Sequence, residues 1–127
     1  MNLAELVDKT ASGPNSSTEE LIKSLDGLKI ERPDVNWGSL LGASIGLAAE
    51  SGEFSELVKK SVFQGALFDK VHAKKELGDI LWYLGLACAA LGIDFDDVLK
   101  TNIEKLMKRY KNGFSVEESN NRKKDDI

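Results

Sequence analysis

The sequence predicts an all-α fold built as an antiparallel helical bundle, and three observations carry that expectation. Long stretches repeat apolar residues at a period near 3.6, no segment sustains the period-2 alternation of a strand, and Gly, Pro, Asn and Asp stand where helices should start and stop. No self-similarity at the length of a helical repeat is visible, which sets a solenoid aside. At 127 residues a single domain spanning 1–127 is expected, with its core at about 35–115 and a polar tail at 116–127.

The elements follow in order. A short first helix is broken by Gly, Pro, Asn and Ser in "TASGPNSST", and Thr18 with Glu19 and Glu20 opens a second. After the break "KIERPD", residues 35–63 read as the first long helix, with Leu40, Leu47, Phe54 and Val58 in one stripe and Leu41, Ile45 and Ala48 beside it. A loop around Gly65 leads to Asp69, which can cap a helix running to Leu91 and stopped by Gly92. Leu77, Ile80, Leu81, Leu84 and Cys88 give the core face expected of that helix. Asp94 caps a third long helix, expected to end at Asn112 and Gly113.

Composition narrows the functional classes. Apolar residues make up 42% and charged residues 30%, the profile of an ordinary globular protein. The formal charge of -4, with Lys and Arg interleaved among acids, supplies no basic field for a nucleic acid, so none is expected as a partner. Cys88 is the single cysteine, which rules out an internal disulfide and speaks against a thiolate metal site; a reducing cytoplasm is the expected location. The start of the chain has no basic n-region and no window of 18 apolar residues lacks a charge, so neither export by a signal peptide nor a membrane span is expected.

The chemistry-bearing residues are acids. Glu50 and Glu53 stand at i and i+3 on the first long helix, with the small residues Gly46 and Ala43 continuing their line. Glu76 and Asp79 repeat that spacing on the second, with Tyr83 one turn further. A short loop between the two helices favours an antiparallel pair, across which four carboxylates would face one another. Four like charges that close would raise each other's pKa, and a divalent cation removes the conflict. All-oxygen ligands select a hard ion, Mg²⁺ or Mn²⁺. The plainer reading is a solvated acidic face; against it, Glu50, Glu53 and Glu76 have Phe54, Leu57 and Ile80 at i+4, whereas Glu56 has Lys60 and looks like a surface pair.

Asn102, Lys105 and Arg109 form a polar, cationic line on the third long helix, suited to phosphate oxygens or simply to solvent. Lys60 could reach a phosphate or pair with Glu56, and Trp37 could stack on a base or pack. His72, the one histidine, stands one turn before Glu76 and could serve a metal, a phosphate or the surface alone. Cys88 reads as core, and Trp82 as core or subunit interface.

"GLAAESGEFSELVKK", then "KKELGDILWYLGLACAALGI", then "NIEKLMKRYKNGFS" together resemble the MazG-like group of all-α nucleoside triphosphate pyrophosphohydrolases, and "FQG" between the helices is similar to versions carried by bacteriophages. The likeness covers about residues 40–115, and one departure is Lys111, where the family often has Pro. The resemblance implies a four-helix-type bundle assembled as a homodimer or homotetramer. It also implies Mg²⁺-dependent hydrolysis of an NTP or dNTP between the α and β phosphates. Carried over by motif, Glu50, Glu53, Glu76 and Asp79 would hold metal, and Asn102, Lys105 and Arg109 would contact phosphates. Tyr83 would lie near the sugar, and Glu53, with Glu50 as the other candidate, would orient or deprotonate the attacking water. A dNTP preference with dGTP and dCTP foremost is the expectation from the phage-type likeness. The alternatives are a narrow dGTP-directed or damaged-nucleotide enzyme, and a non-enzymatic helical oligomer or adaptor.

Overall fold

In the structure, a computed structural model, residues 1–111 and 113–121 are described. Asn112, expected in the stop signal of the third long helix, and residues 122–127 of the expected tail lie outside the described residues. Among the described residues there are seven helices and no strand, so the all-α expectation holds. No single helix among them is long and apolar enough to cross a membrane. The chain divides into two compact units, Met1–Gly92 and Ile93–Ile127.

The first unit opens with α1 (Leu3–Thr10), started by a reciprocal cap between Asn2 and Glu5. One helical turn, α2 (Gly13–Ser16), sits inside the expected break, with Pro14 in its first turn, where a missing N–H costs nothing. α3 (Thr18–Glu31) is capped by Ser17 rather than Thr18: the Ser17 hydroxyl accepts from Glu20 N at 3.1 Å.

α4 (Trp37–Gln64) and α5 (Lys70–Leu91) form the scaffold of the unit. Asn36 caps α4, its side chain accepting from Ser39 N at 3.1 Å. Gly65 ends it in the left-handed conformation at φ 68°, which a residue without Cβ adopts freely. Asp69 caps α5 and Gly92, at φ 65°, closes it, both as the sequence predicts. The Asn36 N–H donates to Ala90 O at 2.8 Å, which ties the start of α4 to the end of α5. The short loop at 65–69 joins the opposite ends, so the two helices run antiparallel.

Their seam is made of small residues. Ala43 and Gly46 on α4 and Ala73 on α5 are buried, which lets the backbones approach closely. The larger apolar residues expected at the core stand on the flanks instead. Ile80, Leu84, Leu47 and Phe54 are half-buried, while Leu77 is 47% and Leu81 is 56% exposed. A close approach through Ala and Gly leaves no room between the helices for two rows of branched side chains.

The second unit contains α6 (Phe95–Arg109), capped by Asp94, whose side chain accepts from Asp96 N at 2.7 Å. α6 ends earlier than expected: Tyr110 is its C-cap and has left helical geometry. In the stretch expected to lack regular structure, α7 (Val116–Asn120) forms a short helix, with Ser119 N donating to Ser115 O at 3.0 Å.

Candidate metal centre

The antiparallel pairing of α4 and α5 brings Glu50 beside Glu76 and Asp79. Each of the three offers a carboxylate oxygen, and these oxygens lie within 4.8 Å of one another. Glu50 comes from the α4 line begun by Ala43 and Gly46, so the same small residues that admit α5 also admit the acids to a common space. Glu76 is buried at 6% exposure, Glu50 is half-buried and Asp79 is exposed, so the group spans the edge of the seam from protein to solvent.

Its electrostatics are those of crowded like charge. Desolvation, first, and then the charges of Glu53, Asp79 and Glu76 push the Glu50 carboxyl above the usual carboxylate range. Glu76 is the buried charged residue among the described ones, and His72 Nε2 stands 2.7 Å from its Oε1. Three carboxylates from two helices, with no thiolate or imidazole nitrogen in the group, are a donor set suited to a hard divalent cation. Such an ion would relieve both the repulsion at Glu50 and the burial of charge at Glu76, and the residues present therefore fit one.

Glu53 stands differently from the other three expected ligands. It is exposed and outside the 4.8 Å group, yet its charge acts on Glu50 one turn away. Tyr83, half-buried one turn beyond Asp79, fills the space beside Gly46 and meets the Trp82 ring edge-on, with centroids 4.9 Å apart and planes at 89°. Spacing along the sequence gives no sign that Gly46 and Tyr83, on opposite helices, touch; only the pairing register brings them together.

Lys60 is exposed, and its Nζ lies 3.3 Å from Glu56 Oε1, the surface pair the spacing suggested. Trp37 is half-buried and its Nε1–H donates to Leu28 O at 3.1 Å and Arg32 O at 3.4 Å, so it helps finish α3. Thirteen residues separate it from Glu50 on one helix, about 20 Å along the axis. Trp37 therefore stands apart from the acids, and Lys60 is engaged with Glu56. In the second unit, Asn102 and Lys105 line a cavity of about 470 Å³ with Ile93, Asp97, Val98 and Thr101. Arg109, half-buried, ends the same helix, with its guanidinium carbon 5.8 Å from the centre of the Tyr110 ring.

Compared with protein families, residues 41–114 match the MazG nucleotide pyrophosphohydrolase domain, a span covering most of α4 and all of α5 and α6. Comparison with curated proteins and with solved structures returned no match.

Proposed function

The chain belongs to the MazG nucleotide pyrophosphohydrolase domain family, and we propose that it is a Mg²⁺-dependent enzyme cleaving nucleoside triphosphates between the α and β phosphates. The observation that carries this reading is the meeting of Glu50, Glu76 and Asp79, from two antiparallel helices, with oxygens within 4.8 Å of one another. The metal dependence of the family gives that meeting its purpose.

Glu50, Glu76 and Asp79 hold the cation. When bound, it supplies charge neutralisation for the triphosphate and acidification of water. Glu53, exposed beside the group, is the residue that orients the attacking water and accepts its proton. Water attacks the α-phosphorus in line, the bond to the bridging oxygen breaks, and the products are the monophosphate and pyrophosphate. Asn102, Lys105 and Arg109 contact phosphate oxygens, the amide by hydrogen bonds, Lys105 as a point charge and Arg109 through its planar fork.

The preferred substrate is a dNTP, with dGTP and dCTP foremost, on the likeness to phage-type members. Tyr83, one turn from Asp79 and fixed against Gly46, supports a contact with the sugar. The active form is a homodimer or homotetramer in the cytoplasm. Support for assembly comes from large apolar side chains left open on the two scaffold helices, among them Ile45 at 63% and Trp82 at 62% exposure.

The test is incubation of the protein with each of the eight common NTPs and dNTPs and Mg²⁺, with the products separated. Monophosphate and pyrophosphate are expected. Diphosphate with orthophosphate would refute α–β cleavage, and no turnover together with no Mg²⁺-linked stabilisation would leave a helical adaptor as the better reading.

A further inference from the structure

His72 has no part in the hydrolysis as derived, yet the structure gives it a defined setting. It stands in the first turn of α5, where Asp69 Oδ1 accepts from Val71 N at 2.9 Å and from His72 N at 3.0 Å. Those two bonds fix the backbone at position 72 without reference to any ligand. From there the imidazole covers one helical turn to Glu76, and Nε2 stands 2.7 Å from Oε1. The two side chains differ sharply in exposure, 51% for His72 against 8% for Glu76. An imidazole anchored at the surface thus reaches a carboxylate that is otherwise enclosed.

A carboxylate has two oxygens, and an ion can use one while a partner outside the coordination sphere holds the other. Such partners set the plane of the ligand, and their loss weakens metal binding by about 10- to 100-fold. No nitrogen of His72 belongs to the group of atoms within 4.8 Å, so it stands beside the ligand set rather than in it. On an α-helix the residue four positions earlier is a neighbour of Glu76 on the same face, which is where His72 is.

We propose that His72 is a positioning residue of the metal centre: its imidazole holds the Glu76 carboxylate in the orientation from which it meets a divalent cation together with Glu50 and Asp79. The proposal rests on the reading that these three acids bind a metal. It differs in sign from a role in which His72 only offsets the charge of Glu76. A mere counter-charge competes with the cation, and its removal tightens metal binding; a positioning group aids the cation, and its removal loosens it.

The test is titration of the full chain with Mn²⁺, standing in for Mg²⁺, with free ion read by electron paramagnetic resonance, on the unsubstituted protein, H72A and H72Q. Far-UV circular dichroism without metal shows that each variant is folded. For H72A the expected result is a Kd raised by about 10- to 100-fold. In H72Q the amide N–H can reach Glu76 over the same turn, and most of the lost affinity should return. An unchanged or lower Kd in H72A, or H72Q as weak as H72A, overturns the role of His72 while leaving the metal centre standing. Absence of Mn²⁺ binding by the unsubstituted protein overturns the metal centre, and the role of His72 with it.

Discussion

The Tyr83 ring occupies the space that any side chain at position 46 would need: a Cβ built on Gly46 would overlap Cδ1, Cε1 and Cζ. Trp82 meets that ring edge-on from the next position, with centroids 4.9 Å apart. Gly46→Ala should therefore force α4 and α5 apart or expel Tyr83. Overpacking of this kind costs about 1–3 kcal/mol, and the better helix propensity of Ala returns about 1 kcal/mol. A net loss in thermal stability is expected, together with weaker Mg²⁺-linked stabilisation, since Glu50 lies one turn from Gly46 and Asp79 one turn from Tyr83. Adding Tyr83→Ala should recover part of the loss, and a strictly additive double mutant would contradict the contact.

The four acids of the two motifs should separate into two kinds. Glu50→Gln, Glu76→Gln and Asp79→Asn are each expected to remove both turnover and the rise in melting temperature produced by Mg²⁺. Without metal, Glu50→Gln should melt above the unsubstituted protein, because like charges and desolvation disfavour the ionised carboxylate there. Glu53→Gln should lose turnover yet keep the Mg²⁺-linked rise, which at a free metal concentration 100 times Kd amounts to about 2.7 kcal/mol. Loss of that rise in Glu53→Gln would make Glu53 a ligand after all.

The difference between Glu50 and Glu53 marks the limit of what spacing discloses. Residues three apart on a helix are about 60° apart around it, so a motif can name both acids without saying which one turns into the seam. That choice depends on the register of α5 against α4, which the buried Ala43, Gly46 and Ala73 set. Local signals were legible for a different reason: Asp69, Gly65, Gly92 and Asp94 act within their own turn of backbone, and each ends or begins a helix where its chemistry says it should. The end of α6 was not, because Tyr110 continues the apolar period although its backbone has left the helix. α7 leaves no such signal, because five residues, mostly polar, carry no period. On the face of α5 expected as core, Leu77 is 47% and Leu81 56% exposed, since amphipathicity reports that a face is to be covered without saying by what.

Assembly through those faces has a direct test at Ile45, which is 63% exposed on α4. In a monomer, Ile45→Glu is a surface change with little effect. In a homo-oligomer whose contact includes that face, it places an unpaired charge in an apolar interface, which is costly. Sedimentation velocity should show the unsubstituted protein as a dimer or tetramer and the variant shifted to smaller species. A monomeric unsubstituted protein with full activity would remove the oligomer from the proposal.

Trp37 is expected to prove structural. Its Nε1–H serves the end of α3 through Leu28 O and Arg32 O. Trp37→Phe keeps the ring and deletes the donor, leaving those carbonyls to water; a loss of about 0.5–1.5 kcal/mol is expected in denaturant unfolding. KM for the nucleotide should not change. A raised KM without loss of stability would instead support stacking on a base.

At the start of α5, Asp69 links stability to pH. The hydrogen bond from His72 N–H, and with it that from Val71 N–H, holds its carboxyl below the ordinary value of 3.8, although partial desolvation opposes the shift. Because the folded-state pKa is depressed, the stabilisation is fully present above 3.8 and is lost as pH falls through the lower folded value. Asp69→Asn keeps an acceptor oxygen at the cap but cannot titrate, so its melting temperature should fall less steeply than that of the unsubstituted protein as acid is added. Asp69→Ala loses the cap at every pH and should melt below both at neutral pH. Melting curves of the three proteins from neutral pH into acid check this: parallel acid profiles for the unsubstituted protein and Asp69→Asn would show that the charge at the cap contributes nothing.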